Sequence, residues 1–313
     1  MPFKQLGKDS DRPVASRVAL VGPPNSLKTT AIVKTWPRQY QDRDTLVILS
    51  YPGEKGWETI PRDEPNLISL VWEVEDSTKP LTPTVVVREV ESVTAQVLSG
   101  AYGKVATFAG DGAHKLYQWY FQQALAEKIA NAPRDWDGNE ETFVGPAYGQ
   151  AHKDYGLYLT KILSSSVPYA VMTFWQGLDR EDPLNLSKKA PRAYFPDLPG
   201  MMARNAVGEF SATLFSEVSK PEMSGLVRGS WITRIEGIHQ GIGIKVNPDI
   251  AQKIPVRIPQ HFGVLQRYMA GDAEGAKLLT AHLKSPRPVN SSATLLQSQA
   301  SSITTDPAKE KTT

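Results

Sequence analysis

Arg17-Val18-Ala19-Leu20-Val21-Gly22-Pro23-Pro24-Asn25-Ser26-Leu27-Lys28-Thr29-Thr30 is the stretch on which the fold turns. A short apolar run ends in a glycine-proline turn, and a lysine followed by two threonines opens what comes next. Strand, turn and helix in that order frame the phosphate-binding pattern G-x-x-x-x-G-K-[ST], the P-loop. Its chemistry needs backbone N–H groups that converge on phosphate oxygens and a helix amino terminus aimed at them. It also needs a lysine for the β- and γ-phosphates and a hydroxyl for Mg²⁺. Gly22, Lys28 and Thr29 stand at the required offsets, and Pro23, Pro24, Asn25, Ser26 and Thr30 complete the candidate nucleotide-binding loop. Leu27 occupies the place of the second glycine. A Cβ there crowds the loop, and Asn25, a residue type that tolerates positive φ, offsets part of that. The plainer alternative is a strand, a proline turn and an ordinary helix.

Composition narrows the rest. The chain has 313 residues, 40% hydrophobic and 22% charged, enough to bury a core and unlike a disordered chain. Lys+Arg 35 against Asp+Glu 33 leaves a net charge of +2, so nucleic-acid binding would need a local basic patch. The absence of cysteine excludes disulfides, thiolate nucleophiles and thiolate metal sites, and it suits a reducing compartment. The histidines, at 114, 152, 239, 261 and 282, have no i, i+4 pair, which argues against zinc. Apolar runs such as Val18–Val21 and Tyr169–Met172 fall far short of the roughly 20 residues a bilayer needs. Met1–Gln5 lacks the apolar stretch of a signal peptide. A soluble cytoplasmic protein with no membrane contact is expected.

Outward from the loop, apolar strands are predicted at Thr45–Leu49, Val105–Ala109 and Tyr169–Phe174. Helices are predicted from Lys28 to Trp36, over Val90–Leu98, over Leu116–Ile129, and from about Tyr148 to Leu163. Alternating residues at Phe210–Val218 and Ser230–Ile238 predict strands with one wet face. The expected fold is α/β: a mostly parallel central sheet flanked by helices, with antiparallel strands added in the C-terminal third. Residues 1–14 are expected to be a flexible segment, 15–283 the folded domain, and 284–313 a disordered Ser/Thr-rich tail.

Gly22-Pro23-Pro24-x-Ser26-x-Lys28-Thr29-Thr30 resembles the P-loop of RecA-like ATPases encoded by tailed bacteriophages. The resemblance covers most of residues 15–265 by order and spacing. It implies a RecA-like NTPase that binds ATP and Mg²⁺ and acts in phage DNA recombination or replication, in the host cytoplasm. It further implies a homo-oligomer on single-stranded DNA. Within that resemblance Glu54, in Leu49-Ser50-Tyr51-Pro52-Gly53-Glu54, is the candidate base for the attacking water. Asp111, at the end of Val105–Asp111 and five residues before Leu116, is the candidate Mg²⁺ ligand beside Thr29. Gly112 stands where the family has a small hydroxyl residue. Gln176 is the candidate sensor of the γ-phosphate, with Thr173 as fallback. Lys245, in Gly241-Ile242-Gly243-Ile244-Lys245, is the candidate group acting in a neighbour's site, with Arg234 behind it. Phe195–Arg204 is similar to the family's Leu-Pro-Gly segment.

Each of these has an ordinary alternative. Glu54 reads equally as a solvated turn residue, Asp111 as a glycine-turn aspartate, Gln176 and Lys245 as surface residues. Residues 177–193 are a polar loop whose Lys188, Lys189 and Arg192 suit a phosphate backbone or simply solvent. Tyr117, Tyr120 and Phe121 suit base stacking, although their helical spacing favours a core. The competing function is a degenerate P-loop protein that binds nucleotide without turnover, or a scaffold. A small-molecule phosphotransferase lacks any acceptor motif.

Overall fold

The computed structural model describes residues 16–72, 82–177, 196–199, 208–219, 229–234 and 242–284. The expected flexible segment 1–14, the basic residues of the 177–193 loop, Gly241 and the tail beyond Lys284 lie outside the described residues, as does most of the Leu-Pro-Gly segment. In chain order the elements are β1 (Arg17–Gly22), α1 (Lys28–Thr35), β2 (Thr45–Ser50), a 3-10 turn (Gly56–Thr59), β3 (Leu67–Val71), α2 (Pro83–Ser99), β4 (Val105–Asp111), α3 (Ala113–Ala130) and α4 (Glu141–Leu163). Then follow β5 (Tyr169–Trp175), β6 (Ala212–Val218), β7 (Gly229–Ile232), β8 (Gly243–Ile244), α5 (Pro248–Ala251), β9 (Arg257–Pro259), α6 (Phe262–Met269) and α7 (Ala273–Lys284).

The described strands form one sheet in the order β3-β2-β4-β5-β1-β6-β7-β9, with β8 paired to β6. Pairing is parallel from β3 through β6 and antiparallel for β7, β8 and β9. The expected class is therefore the observed one: mostly parallel α/β with antiparallel strands late in the chain. The apolar runs of β1 and β2 are continuous because both faces of the sheet are covered. Val18, Leu20, Leu46 and Ile48 pack with α1 and α6. Ala19, Val21, Val47 and Leu49 pack with α2, α3 and α4 on the other face.

Several elements escaped the sequence reading. β3 is short, half-buried and joined to β2 without an intervening α-helix, so no helical period announces it. α6 starts from His261, whose Nδ1 accepts from the Gly263 N–H at 3.1 Å, and histidine is not a usual cap signal. α4 begins at Glu141, ahead of the expected Tyr148, and runs through Pro146. β4 continues past Ala109 to Asp111. Gly110 is a close approach: a Cβ there would lie 2.5 Å from the Tyr51 hydroxyl and 2.7 Å from Met172 Sδ. Tyr117 and Tyr120 are core residues packed edge-on to Tyr155, and Phe121 stacks on Tyr148 at 4.3 Å. No helix among the described residues is long and apolar enough to cross a membrane.

Candidate functional site

Parallel strands deliver their carboxyl ends to one edge of the sheet, and the loops there line a crevice. Gly22 ends β1, Asp111 ends β4, and β5 lies between them. The sheet order thus brings the quoted loop and the acidic strand end to the same edge without making their strands neighbours. Thr173 of β5 fills the gap. Its hydroxyl donates to Asp111 Oδ1 at 2.5 Å and accepts from the Gly112 N–H at 2.8 Å.

The loop itself is tightly set. The first helical bond runs from the Ala31 N–H to the Leu27 carbonyl at 2.8 Å, so the amides of Lys28, Thr29 and Thr30 lie ahead of the ladder. A Cβ on Gly22 would come 2.6 Å from the Ser216 carbonyl oxygen of β6 and 2.9 Å from Ser26 Oγ. Asn25 and Leu27 both have φ of 61°, in the left-handed region. Leu27 therefore takes the backbone conformation a glycine would take, at a cost of about 1–2 kcal/mol. Leu27→Gly is accordingly expected to change ATP affinity by less than about threefold, since the backbone is already in place. Titration calorimetry checks this; a gain of tenfold or more would mean that the isobutyl group obstructs the seat.

Lys28 reaches back across the loop. Its ammonium donates to the carbonyls of Gly22 at 3.0 Å and Pro23 at 2.7 Å, and to Ser26 Oγ at 3.0 Å. Burial pulls its pKa from 10.5 down to about 8, against the opposing pull of Asp111 and Glu54. Thr29 turns the other way and donates to Asp111 Oδ2 at 2.9 Å. Burial raises the Asp111 pKa, while the bonds from Thr173 and Thr29 and the Lys28 charge oppose the rise.

Glu54 joins the group. Its Oε1 accepts from the N–H groups of Lys55 at 3.1 Å and Gly56 at 3.3 Å. Its pKa is raised, first by burial and then by the Asp111 charge. The carboxylate lies against Gly112, where a Cβ would fall 2.8 Å from Glu54 Oε2. Gly112 has φ of 83° as well, so backbone and space both call for glycine where the resembled family has a hydroxyl residue.

Gln176 follows β5, and its N–H donates to the Gly22 carbonyl at 3.1 Å, which puts its backbone at the root of the loop. Lys245 and Arg234 are not brought to this edge. The Lys245 N–H bonds to Ser211 at 2.9 Å beside the start of β1, and its ammonium contacts the Gly208 carbonyl. Arg234 donates to the Ala251 carbonyl at 3.0 Å.

Two residues at the site went unnoticed in the sequence. Gly56 faces the Thr29–Asp111 pair, where even a Cβ would lie 2.6 Å from Asp111 Oδ2 and 2.9 Å from Thr29 Oγ1. His114 is buried in the first turn of α3. Its Nδ1 accepts from the Trp175 N–H at 3.3 Å and its ring stacks on Trp175 at 4.7 Å. Burial pushes its pKa down to about 3, so the imidazole is neutral. A glycine in a turn and a lone histidine carry no pattern, and only the position three residues after Asp111 pointed to His114. Beside Thr30, a cleft of about 310 Å³ opens along α1, lined also by Lys34, Arg38 and Glu64.

The residues present fit a hydrated Mg²⁺. That ion takes one or two protein oxygens and completes its shell with phosphate and water. Thr29 Oγ1 and Asp111 Oδ2 are such a pair, and they lie against Gly56, where any side chain would occupy the space beside them. No larger cluster of acidic or histidine ligands occurs among the described residues.

No protein-family model and no curated protein matches this chain. Among solved structures it is similar to the flagellar accessory protein FlaH from Methanocaldococcus jannaschii, at 10% identity over 70% of this chain and 78% of that one, TM-score 0.32. It is also similar to an ATPase from the type III secretion system of pathogenic bacteria, at 11% identity and TM-score 0.36. That match covers 64% of this chain and about half, 52%, of the ATPase. Both likenesses are distant, and neither assigns an activity to this chain.

Proposed function

We propose that this chain is a nucleotide-binding ATPase of the RecA-like P-loop type. The observation that carries the reading is the 2.9 Å bond from Thr29 to Asp111. It joins the residue after the loop lysine to the carboxylate ending a strand two places away in the sheet. In this reading the amides at the start of α1 receive phosphate oxygens, and Lys28 leaves its loop carbonyls for the β- and γ-phosphates. Thr29 and Asp111 would hold Mg²⁺, which supplies charge neutralisation across the phosphates when bound. Glu54 accepts a hydrogen bond from the attacking water, and its raised pKa suits a group that takes up a proton. Thr173 holds the Asp111 carboxylate in place, and Gln176 stands at the loop root as the phosphate sensor. The cleft beside Thr30 offers room for the nucleoside. Catalysis of this kind is mostly positioning and electrostatic stabilisation.

Lys245 lies at the opposite end of the parallel strands from its own loop, so a catalytic role for it requires a neighbouring copy in a homo-oligomer. Assembly on single-stranded DNA and a part in phage recombination or replication rest on the resemblance alone.

A second reading, nucleotide binding without turnover, is favoured by the strained Leu27 backbone and by the engagement of Lys28 with its own loop. Thermal melting with and without Mg-ATP, paired with phosphate release, separates the two. At an ATP concentration 100-fold above Kd, ligand linkage stabilises the fold by about 2.7 kcal/mol. A melting shift with phosphate release supports the ATPase. A shift without release supports the switch, and no shift at millimolar ATP removes both.

A further inference from the structure

We propose that Gln260 is a positioning residue for the phosphate loop, holding Leu27 in its left-handed conformation from the antiparallel part of the sheet. This rests on the nucleotide-site reading above. Gln260 sits between β9 and α6, 234 residues from the loop, and its side-chain Nε2 donates to the Ser26 carbonyl at 3.0 Å. The same nitrogen lies 3.3 Å from the carbonyls of Glu217 in β6 and Ser230 in β7. One carboxamide thus ties the loop to both strands. Room for it is made at Gly229, where a Cβ would overlap the Gln260 amide. The Gln260 N–H bonds back to the Gly229 carbonyl at 3.2 Å, which fixes the backbone from which the side chain reaches.

The physical consequence lies in the peptide that Gln260 grips. In a trans peptide the C=O of one residue and the N–H of the next point in opposite directions. Holding the Ser26 carbonyl toward Gln260 therefore turns the Leu27 N–H away from it. That N–H belongs to the loop that wraps phosphate in the proposed site. The bond also opposes relaxation of Leu27 out of a backbone well that disfavours a leucine. A glycine at 27 would need no such restraint, and the resembled loops have a glycine at this place. The same corner grips the far end of α1, where the Phe262 N–H donates to Thr35 Oγ1 at 3.1 Å and Trp36 packs on Phe262 at 4.7 Å. β9 and the start of α6 thereby brace α1 at both ends.

The test measures Mg-ADP and Mg-ATP affinity by calorimetry, steady-state ATP hydrolysis, and melting of the nucleotide-free chain, for wild type, Gln260→Ala and Leu27→Gly/Gln260→Ala. Gln260→Ala is expected to raise Kd for both nucleotides and KM for ATP by about tenfold, the size of one good hydrogen bond, with kcat preserved at saturation. The added Leu27→Gly is expected to restore affinity to within about threefold of wild type, because glycine takes the left-handed conformation unaided. A brace that merely joined β6 to β7 would not be rescued from inside the loop. Unchanged affinity in Gln260→Ala, or failure of glycine at 27 to rescue it, overturns the proposal while leaving the nucleotide site intact. Should Gln260→Ala not fold, the similarly sized Gln260→Met takes its place; failure of both to fold makes Gln260 a structural residue and overturns the proposal too. A wild-type chain that binds neither nucleotide overturns the reading of the site itself, and this proposal with it.

Discussion

Lys28→Ala is expected to weaken Mg-ATP binding by two to three orders of magnitude, while the fold survives. The ammonium would supply charge-assisted hydrogen bonds to two phosphates, each worth about 1.5–3 kcal/mol, and every 1.4 kcal/mol is tenfold in affinity. The same substitution has a signature in pH that a general loss of fold does not. Burial holds the Lys28 pKa near 8 in the folded chain, below its ordinary value of 10.5. Between those values the unfolded chain binds the proton and the folded chain does not, so stability rises with pH across this window. Wild type is expected to gain on the alanine variant by about 3 kcal/mol from pH 8 to 10.5, and chemical denaturation at a series of pH values reads the difference. Phosphate beside the ammonium favours its charged form. Binding at pH 8, where about half the lysines are neutral, should therefore take up roughly half a proton per nucleotide. Calorimetry in buffers of different ionisation enthalpy measures the uptake, which should vanish in Lys28→Ala. An alanine variant that binds ATP within threefold of wild type would remove Lys28 from the phosphate site.

Arg17→Met is expected to lower the melting temperature by on the order of 10 °C, with nucleotide affinity at low temperature unchanged. The Arg17 guanidinium is buried at the opposite end of β1 from the loop. Its Nε donates to the Leu163 carbonyl at 2.8 Å, and its terminal nitrogens donate to Ser16, Ser165, Val167 and Pro168 at 2.9–3.0 Å. Arginine has five N–H donors, and each meets a carbonyl here. Leu163 and Ser165 lie at the end of α4, where carbonyls lack helical partners and the helix dipole favours a cation. Methionine keeps much of the length but strands these acceptors, at a cost of about 3–5 kcal/mol. For a folded region of this size each kcal/mol is roughly 2–4 °C. A fall of less than about 3 °C would mean that water or backbone shifts satisfy the carbonyls without the guanidinium.

The fold was legible where one residue's neighbours in the chain are also its neighbours in space. Val18–Val21 and Thr45–Leu49 read as buried strands because runs that long and apolar must be covered on both faces. Gly22, Lys28 and Thr29 read as a phosphate loop because a turn of backbone is a local object with fixed offsets. Asp111 was singled out through its expected place at a strand end, which is where it lies, although the glycines around it argued for a turn. Their reason lay elsewhere: Gly110 makes way for Tyr51, and Gly112 for Glu54. β3 and α6 were missed because an edge strand and a helix capped by histidine owe their stability to what they pack against.

Composition, strand order along the chain and the loop offsets were thus determined by the sequence alone, since each depends on residues a few positions apart. Only the tertiary structure decided that Thr173 of β5 holds Asp111 together with Thr29 of the loop, that Lys245 stands away from its own site, and that Gln260 reaches Ser26. Those contacts depend on sheet order and on which side chain crosses the gap between distant segments, and hydrogen bonds over 62 or 234 residues leave no period in the chain that makes them.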